Sequence, residues 1–222
     1  MNKFKTNLYI LLFLPGIIFL NSCEKATEPL NNSNIDLVYA TDTNRYSFPV
    51  NDFQIDTVKM LSWNFKFISA FNPDNIIEVK NGQVILYFTG NAKIRNIVET
   101  NLPANSYRSL EFEVRKNTKS EPLLDPDFRD SLNTYSIIIY GRLLGKKFVH
   151  KSSVSFPVKI NFDDYQIINE NEFYKIRINM NPKDWFIRGD TFLIPFYSFN
   201  AARIDSNIAR IQSRNFAIEV IE

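Results

Sequence analysis

From position 35 onward, apolar and polar residues alternate with a period of two along most of the chain, the pattern of strands with one buried face. Leu61, Trp63, Phe65 and Phe67 alternate with Ser62, Asn64 and Lys66, which predicts one such strand. Residues 76–80 and 83–89 flank Asn81-Gly82, a dipeptide suited to the two positive φ angles of a type I′ turn, so a hairpin is predicted to close there. Leu110, Phe112 and Val114 alternate with Glu111, Glu113 and Arg115, giving one face to a core and the other to solvent. Residues 135–143 are apolar on both faces, as a central strand requires. Further strands are predicted over 148–150, 154–162, 173–180 and 216–221. Pro157 cannot donate to a ladder and therefore puts its strand at an edge or a bulge.

Two helical signals interrupt this pattern. Asn181-Pro182-Lys183-Asp184-Trp185-Phe186 has a capping Asn, Pro at the first helical position and an acid in the first turn. Asp205, followed by Ile208 and Ile211, is predicted to cap one or two turns before the last strand. Helices of ten residues or more do not alternate with the strands. The predicted class is therefore all-β: an antiparallel β-sandwich, immunoglobulin-like or transthyretin-like, with one or two short helical turns.

The first two dozen residues follow a different rule. Residues 1–7 carry Lys3 and Lys5 and no acid, and residues 8–20 are an apolar run, the charged and apolar regions of an export signal. Thirteen residues are too few to cross a bilayer, which takes about 20, and Pro15-Gly16 would break a spanning helix. Leu20-Asn21-Ser22-Cys23 then resembles the lipobox of bacterial lipoproteins, with Asn21 where the family usually has a small residue. The resemblance implies cleavage before Cys23, a thioether-linked lipid on its sulfur, and acylation of the new amino terminus by a fatty acid such as palmitate. Residues 1–22 are then a signal peptide, 23–34 a polar linker and 35–222 a single domain. Glu24 rather than Asp after the cysteine favours, by analogy with lipoprotein sorting, attachment to the outer membrane, in either leaflet. The membrane is thus an expected partner, reached through the N-terminal lipid. With the single Cys consumed, no thiol is left for a disulfide, and stability must come from packing of a chain with 20 Phe and 10 Tyr.

A second resemblance is carried by Leu102-Pro103-Ala104-Asn105-Ser106-Tyr107 and the strand after it, which look like the "L-P-A-G-x-Y" turn and strand of a family of bacterial lipoprotein sandwich domains. It implies a transthyretin-like or immunoglobulin-like sandwich and no catalysis. Asn105 stands in the place of the family's Gly, as a residue tolerant of positive φ.

Charge and chemistry narrow the function by exclusion. Removing Lys3 and Lys5 leaves equal numbers of basic and acidic residues, so nothing favours nucleic acid as a partner. His150 is the one histidine and sits among Lys147 and Lys151, an unpromising setting for a catalytic imidazolium, and with a lipidated Cys it cannot supply the usual four zinc ligands. Asp125, Asp127 and Asp130 place three carboxylates within six residues; the helix-loop-helix calcium pattern would want Gly at the sixth place and Glu at the twelfth, and finds Asp130 and Ser136. A solvated, capped turn is the expectation, an irregular calcium loop the alternative. Asp163-Asp164 would point to opposite faces of a strand and reads as a turn. Arg142, Lys146, Lys147, His150 and Lys151 around Gly145 read as a charged hairpin tip rather than a site for anionic lipid or polysaccharide. Trp185, Phe186, Phe196, Tyr197 and Phe199 read as core rather than as a platform for sugar rings. No catalytic residue, resident metal or cofactor is expected. The function expected is a non-enzymatic binding or structural accessory of the cell envelope, with an envelope protein or a glycan as partner; a fimbrillin-like appendage subunit and a glycan-active protein are the alternatives.

Overall fold

The computed structural model describes residues 34–41, 52–89 and 93–221, the side chains of 211–213 excepted. Its strands in chain order are β1 (Ile35–Thr41), β2 (Phe53–Ser69), β3 (Ile76–Thr89), β4 (Arg95–Thr100), β5 (Asn105–Val114), β6 (Ile137–Leu143), β7 (Lys146–Ser152), β8 (Phe156–Ile168), β9 (Tyr174–Met180), β10 (Ile187–Arg188), β11 (Thr191–Phe192) and β12 (Phe216–Ile221). One helix, α1 (Ser198–Ile211), precedes β12. The architecture is the all-β sandwich that the alternation predicts. One sheet has the order β12-β9-β1-β4, the other β7-β6-β2-β5-β8 with β3 added on β2. The first sheet departs from the antiparallel expectation at one place, where β1 and β9 run parallel from Ile35↔Tyr174 to Thr41↔Met180.

A single core lies between the sheets. Ile35, Leu37 and Tyr39 of β1 and Ile176, Ile178 and Met180 of β9 pack in it with Val58, Met60, Phe65 and Phe67 of β2 and Leu110, Phe112 and Val114 of β5. In β1, β9 and β5 these are alternate residues, as period two requires; in β2 the parity changes between Met60 and Phe65. The predicted central strand over 135–143 is β6, held between β7 and β2, with Ile137, Ile138 and Ile139 all buried. Pro157 lies on β8, which is an edge strand.

The hairpin predicted at Asn81-Gly82 is not formed. β3 runs unbroken through both residues, paired with β2 on either side of them, Trp63 opposite Gln83 and Phe65 opposite Lys80. Gly82 at φ 81° meets Asn64 of β2 at φ 55°, and its N–H points to Asn64 Oδ1 at 3.4 Å. Paired irregularities thus sit at one level of both strands, and each changes which residues face the core. In β2 the core side passes from Val58 and Met60 to Phe65 and Phe67, and in β3 from Ile77 and Val79 to Val84, Leu86 and Phe88. Leu61 and Trp63, predicted to share a face with Phe65 and Phe67, lie instead on the outer face with Phe128 and Ile138. The turn with two successive positive φ angles is Leu144-Gly145 (51° and 73°), which joins β6 to β7.

β2 is the hub of the larger sheet. One of its edges is covered by β3; along the other, β6 pairs with residues 53–60 and β5 with residues 62–69. The handover occurs at Leu61, whose N–H donates to Ser136 O at 2.8 Å and whose C=O accepts from Arg115 N at 3.3 Å. Residues 115–136 therefore leave and rejoin the sheet at one residue and fold over its outer face between those points.

The Leu102–Tyr107 segment carries the chain from β4 in one sheet to β5 in the other. Leu102 and the Tyr107 ring are buried, and the Tyr107 hydroxyl donates to Pro103 O at 2.8 Å, the geometry of a tyrosine corner. Burial pushes the Tyr107 phenol up to about 12. Asn105 needs no positive φ: it begins β5, and its Oδ1 accepts the N–H of Ser106. Asn34, assigned to the linker by its polar neighbours, is tied to this corner, its Nδ2 donating to Leu102 O and its Oδ1 accepting from Leu102 N, both at 2.8 Å.

The segment after β9 departs most from expectation. Lys183–Phe186 is a single 3-10 turn whose N-cap residue is Pro182 rather than Asn181, although Asn181 Oδ1 accepts from Lys183 N at 3.1 Å. Asp205, however, caps nothing, because α1 is a 14-residue helix in which it lies midway. Ile204 and Ile208 face the core, while Asn207 reaches Trp185 O and Ile187 O through its side-chain amide. Buried Asn207 and Asn200, the latter donating to Ile194 O, break the apolar stripe that would have announced the helix in sequence.

Candidate functional site

Cys23 and the segments assigned to signal peptide and lipobox lie outside the described residues. The acidic loop lies on the 115–136 excursion, and its carboxylates are not free. Asp125 and Asp127 receive Lys59 Nζ at 2.7 and 2.6 Å. Tyr87 donates to Asp125 at 2.7 Å and Tyr140 to Asp127 at 2.8 Å. Asp125 Oδ1 also accepts the N–H of Asp127, capping the turn Pro126–Phe128. Three strands build this cluster from the outer face of the sheet: Lys59 from β2, Tyr87 from β3 and Tyr140 from β6.

Its electrostatics are those of a saturated network. Burial works against the Lys59 ammonium, but its hydrogen bonds to Asp125 and Asp127 outweigh that cost and raise its pKa. Burial likewise opposes the Asp125 charge, and Lys59, the Asp127 N–H and Tyr87 overcome it, leaving Asp125 below the ordinary carboxylate range. Asp127 is lowered chiefly by the hydrogen bonds from Lys59 and Tyr140. Tyr87 is pushed up to about 12, by burial first and then by its bond to Asp125. The ammonium stands where a cation shared by Asp125 and Asp127 would stand. Asp130 is spent locally, accepting from Leu132 N, Asn133 N and the Tyr135 hydroxyl. Among the described residues, no group of three His, Cys, Asp or Glu side chains is placed to hold a metal.

His150 is buried rather than lying among cations. On β7 the lysines alternate outward while Phe148, His150 and Ser152 face in. Its Nε2 lies 2.9 Å from Asp205 Oδ1, so the pair joins β7 to the middle of α1, with His150 buried and Asp205 partly open to solvent. The remaining members of the basic cluster disperse: Arg142 pairs with Asp56 at 2.8 Å and Lys151 lies over the Tyr135 ring, while Lys146 and Lys147 are exposed. Asp163 and Asp164 form no turn: both are exposed within β8, where its register with β5 slips between the pairs Ser109↔Asn161 and Tyr107↔Gln166.

The aromatic set splits in two. Trp185 and Phe186 are core residues, as expected. Phe186 completes a ring cluster with Phe53, Phe148 and Phe192, with centroids 5.0 Å (Phe53–Phe186), 5.5 Å (Phe53–Phe148) and 4.8 Å (Phe53–Phe192). Phe196, Tyr197 and Phe199 are exposed at the start of α1. The Tyr197 and Phe199 rings stack 5.3 Å apart at 15°, and the Arg203 guanidinium lies 5.9 Å from the Phe199 centroid. Beside the end of this helix, Asp184, Ile187, Arg210 and Arg214 line an open pocket of about 160 Å³.

Sequence reasoning did not single out a further exposed apolar group at the opposite end of β2: Phe71, Tyr165, Ile167 and Phe173. Phe71 and Phe173 lie beside turns and Tyr165 and Ile167 near the end of β8, and no pattern in the sequence marks them as a group. Stacking and apolar contact are what the two exposed groups offer chemically; the charged clusters mostly neutralise themselves. No protein-family model matches the chain, and no curated protein or solved structure matches it either.

Proposed function

We propose that the protein is a lipid-anchored, non-enzymatic accessory of the bacterial cell envelope: one β-sandwich held at the outer membrane by Cys23 through a polar linker. The observation that carries this reading is the sequence of Leu20-Asn21-Ser22-Cys23 directly behind a charged and then an apolar segment. It is supported by a domain in which Lys59, Asp125, Asp127, His150 and Asp205 satisfy one another within the fold rather than converging on a cleft. Cells fed labelled palmitate should label the protein, and Cys23→Ala should abolish the label and move the protein out of the membrane fraction. Unchanged partitioning of that variant overturns the reading.

The stacked Tyr197–Phe199 pair favours one refinement, a glycan-binding role, because sugar rings lie flat on exposed aromatic faces. Pull-down on common polysaccharides, comparing the native chain with Tyr197→Ala/Phe199→Ala, tests it; equal retention of both proteins removes this refinement and leaves the anchor reading intact.

A further inference from the structure

The chain enters the described domain at a fixed place. Asn34 bonds to Leu102 through both atoms of its side-chain amide, its N–H donates to Thr100 O at 3.2 Å, and its C=O accepts from Tyr174 N at 2.8 Å. The entry point is thus held at the β4–β5 corner, beside the start of β9. The exposed apolar group lies at this same end. Ala70 N donates to Ser106 O at 2.7 Å, and Ser106 pairs with Ile167, which places the β2–β3 turn and the end of β8 side by side at that corner. Phe71, 74% exposed, meets Tyr165 at 5.4 Å between centroids, and Phe173, 60% exposed, immediately precedes Tyr174. Three separate chain segments therefore bring large apolar side chains to one rim. Single exposed apolar residues are ordinary, but a convergent group marks an interaction surface.

We infer that this rim rests in the interfacial layer of a phospholipid bilayer, the membrane in which Cys23 is anchored. The inference rests on the lipid-anchor reading. Ten residues separate Cys23 from Asn34, and the connection even fully extended spans about 40 Å. The tether therefore keeps this end within about 40 Å of the membrane in every orientation of the domain, and confinement at that distance lets even weak insertion persist. Tyr165 and the Phe rings suit the headgroup level, where amphipathic and aromatic side chains collect. The rim is flanked by exposed Asp74, Asp163, Asp164, Glu170 and Glu172, so a zwitterionic surface is favoured over an anionic one.

The test uses the full lipidated chain reconstituted in phosphatidylcholine vesicles, with an environment-sensitive dye on Ile167→Cys or, as the distal control, on Phe199→Cys. Both positions are exposed, and unchanged thermal melts confirm that each variant folds. The dye at 167 should shift to the blue and be quenched at least twofold by lipids brominated near the headgroup; the dye at 199 should do neither. Adding phosphatidylglycerol to the vesicles should reduce the quenching at 167. Equal, unquenched signals at both positions in a protein that carries labelled palmitate overturn this inference alone. A shift at 167 that depends on protein concentration and not on brominated lipid assigns the rim to a second copy of the chain and likewise overturns it. Absence of palmitate, read independently by reaction of the parent chain's Cys23 with the thiol reagent, overturns the anchor reading and this inference with it.

Discussion

Phe53 opens β2 and Phe71 lies two residues beyond its end, across a strand of 17 residues and roughly 55 Å. Phe53 is enclosed by the rings of Phe148, Phe186 and Phe192, whereas Phe71 touches Tyr165 at the surface and is otherwise bare. The difference does not lie in the residues, which are the same. It lies in what the chain does next: residues 181–211 fold back over the Phe53 end with a 3-10 turn and α1, while only turns cross the Phe71 end. A buried ring contributes to stability, and a bare one is available to a partner.

That contrast predicts a gradient of mutational effects along the molecule. Phe186→Ala, at the enclosed end, should cost the most, about 3–5 kcal/mol, because it removes a fully buried ring from a four-ring cluster; calorimetric unfolding measures it. Lys59→Met, midway, should cost about 3 kcal/mol by leaving Asp125 and Asp127 facing each other without their cation, and adding Asp125→Asn and Asp127→Asn should restore much of the loss. The pH dependence has a definite sign. Both carboxyls titrate below their unfolded values in the folded protein, so their contribution is complete above the unfolded carboxylate pKa of about 3.9 and fades as pH falls through the lower folded values. Lys59 is raised, so its contribution holds below an unfolded value of about 10.4 and is lost only as pH rises through the folded one. Denaturant melts of native and Lys59→Met chains should therefore converge in acid. Tyr107→Phe, at the crossover near the bare end, should cost about 1 kcal/mol through loss of the bond to Pro103 O, read as a lower denaturant midpoint with unchanged slope. Phe71→Ser should change stability least, by less than about 0.5 kcal/mol, as befits a surface site. A loss at Phe71 as large as that at Phe186 would break the comparison.

The fold class was legible because the alternation of β9 and of the second half of β5, and the two-faced apolar run of β6, survive into the sheets. What was not legible followed from events that leave no local trace. Asn81-Gly82 carries the same φ preference in a bulge as in a turn, and only the matching irregularity at Asn64 on the neighbouring strand decides between them. That same pair moved Leu61 and Trp63 to the outer face, which alternation alone could not foresee. α1 was shortened in sequence because Asn200 and Asn207 occupy buried helix positions with backbone carbonyls as partners. At the acidic loop the residues were found but their counter-ion was not: Lys59 stands 66 residues before Asp125 and looks, in sequence, like any solvent-facing residue of a strand. The exposed aromatics near α1 were named only within a set read as core, and the structure divides that set by which residues α1 and its preceding turn cover.

The handover at Leu61 has a consequence for how this architecture can vary. Because Ser136 and Arg115 hydrogen-bond to one peptide residue, the two ends of the excursion are pinned a fixed, short distance apart, whatever runs between them. The entropy of closing such a loop rises only with the logarithm of its length. Residues 116–135 thus form an interchangeable cassette. A replacement that supplies apolar cover for Leu61, Trp63 and Ile138, and a carboxylate for Lys59, would redress the outer wall of the sandwich while the strands beneath keep their register.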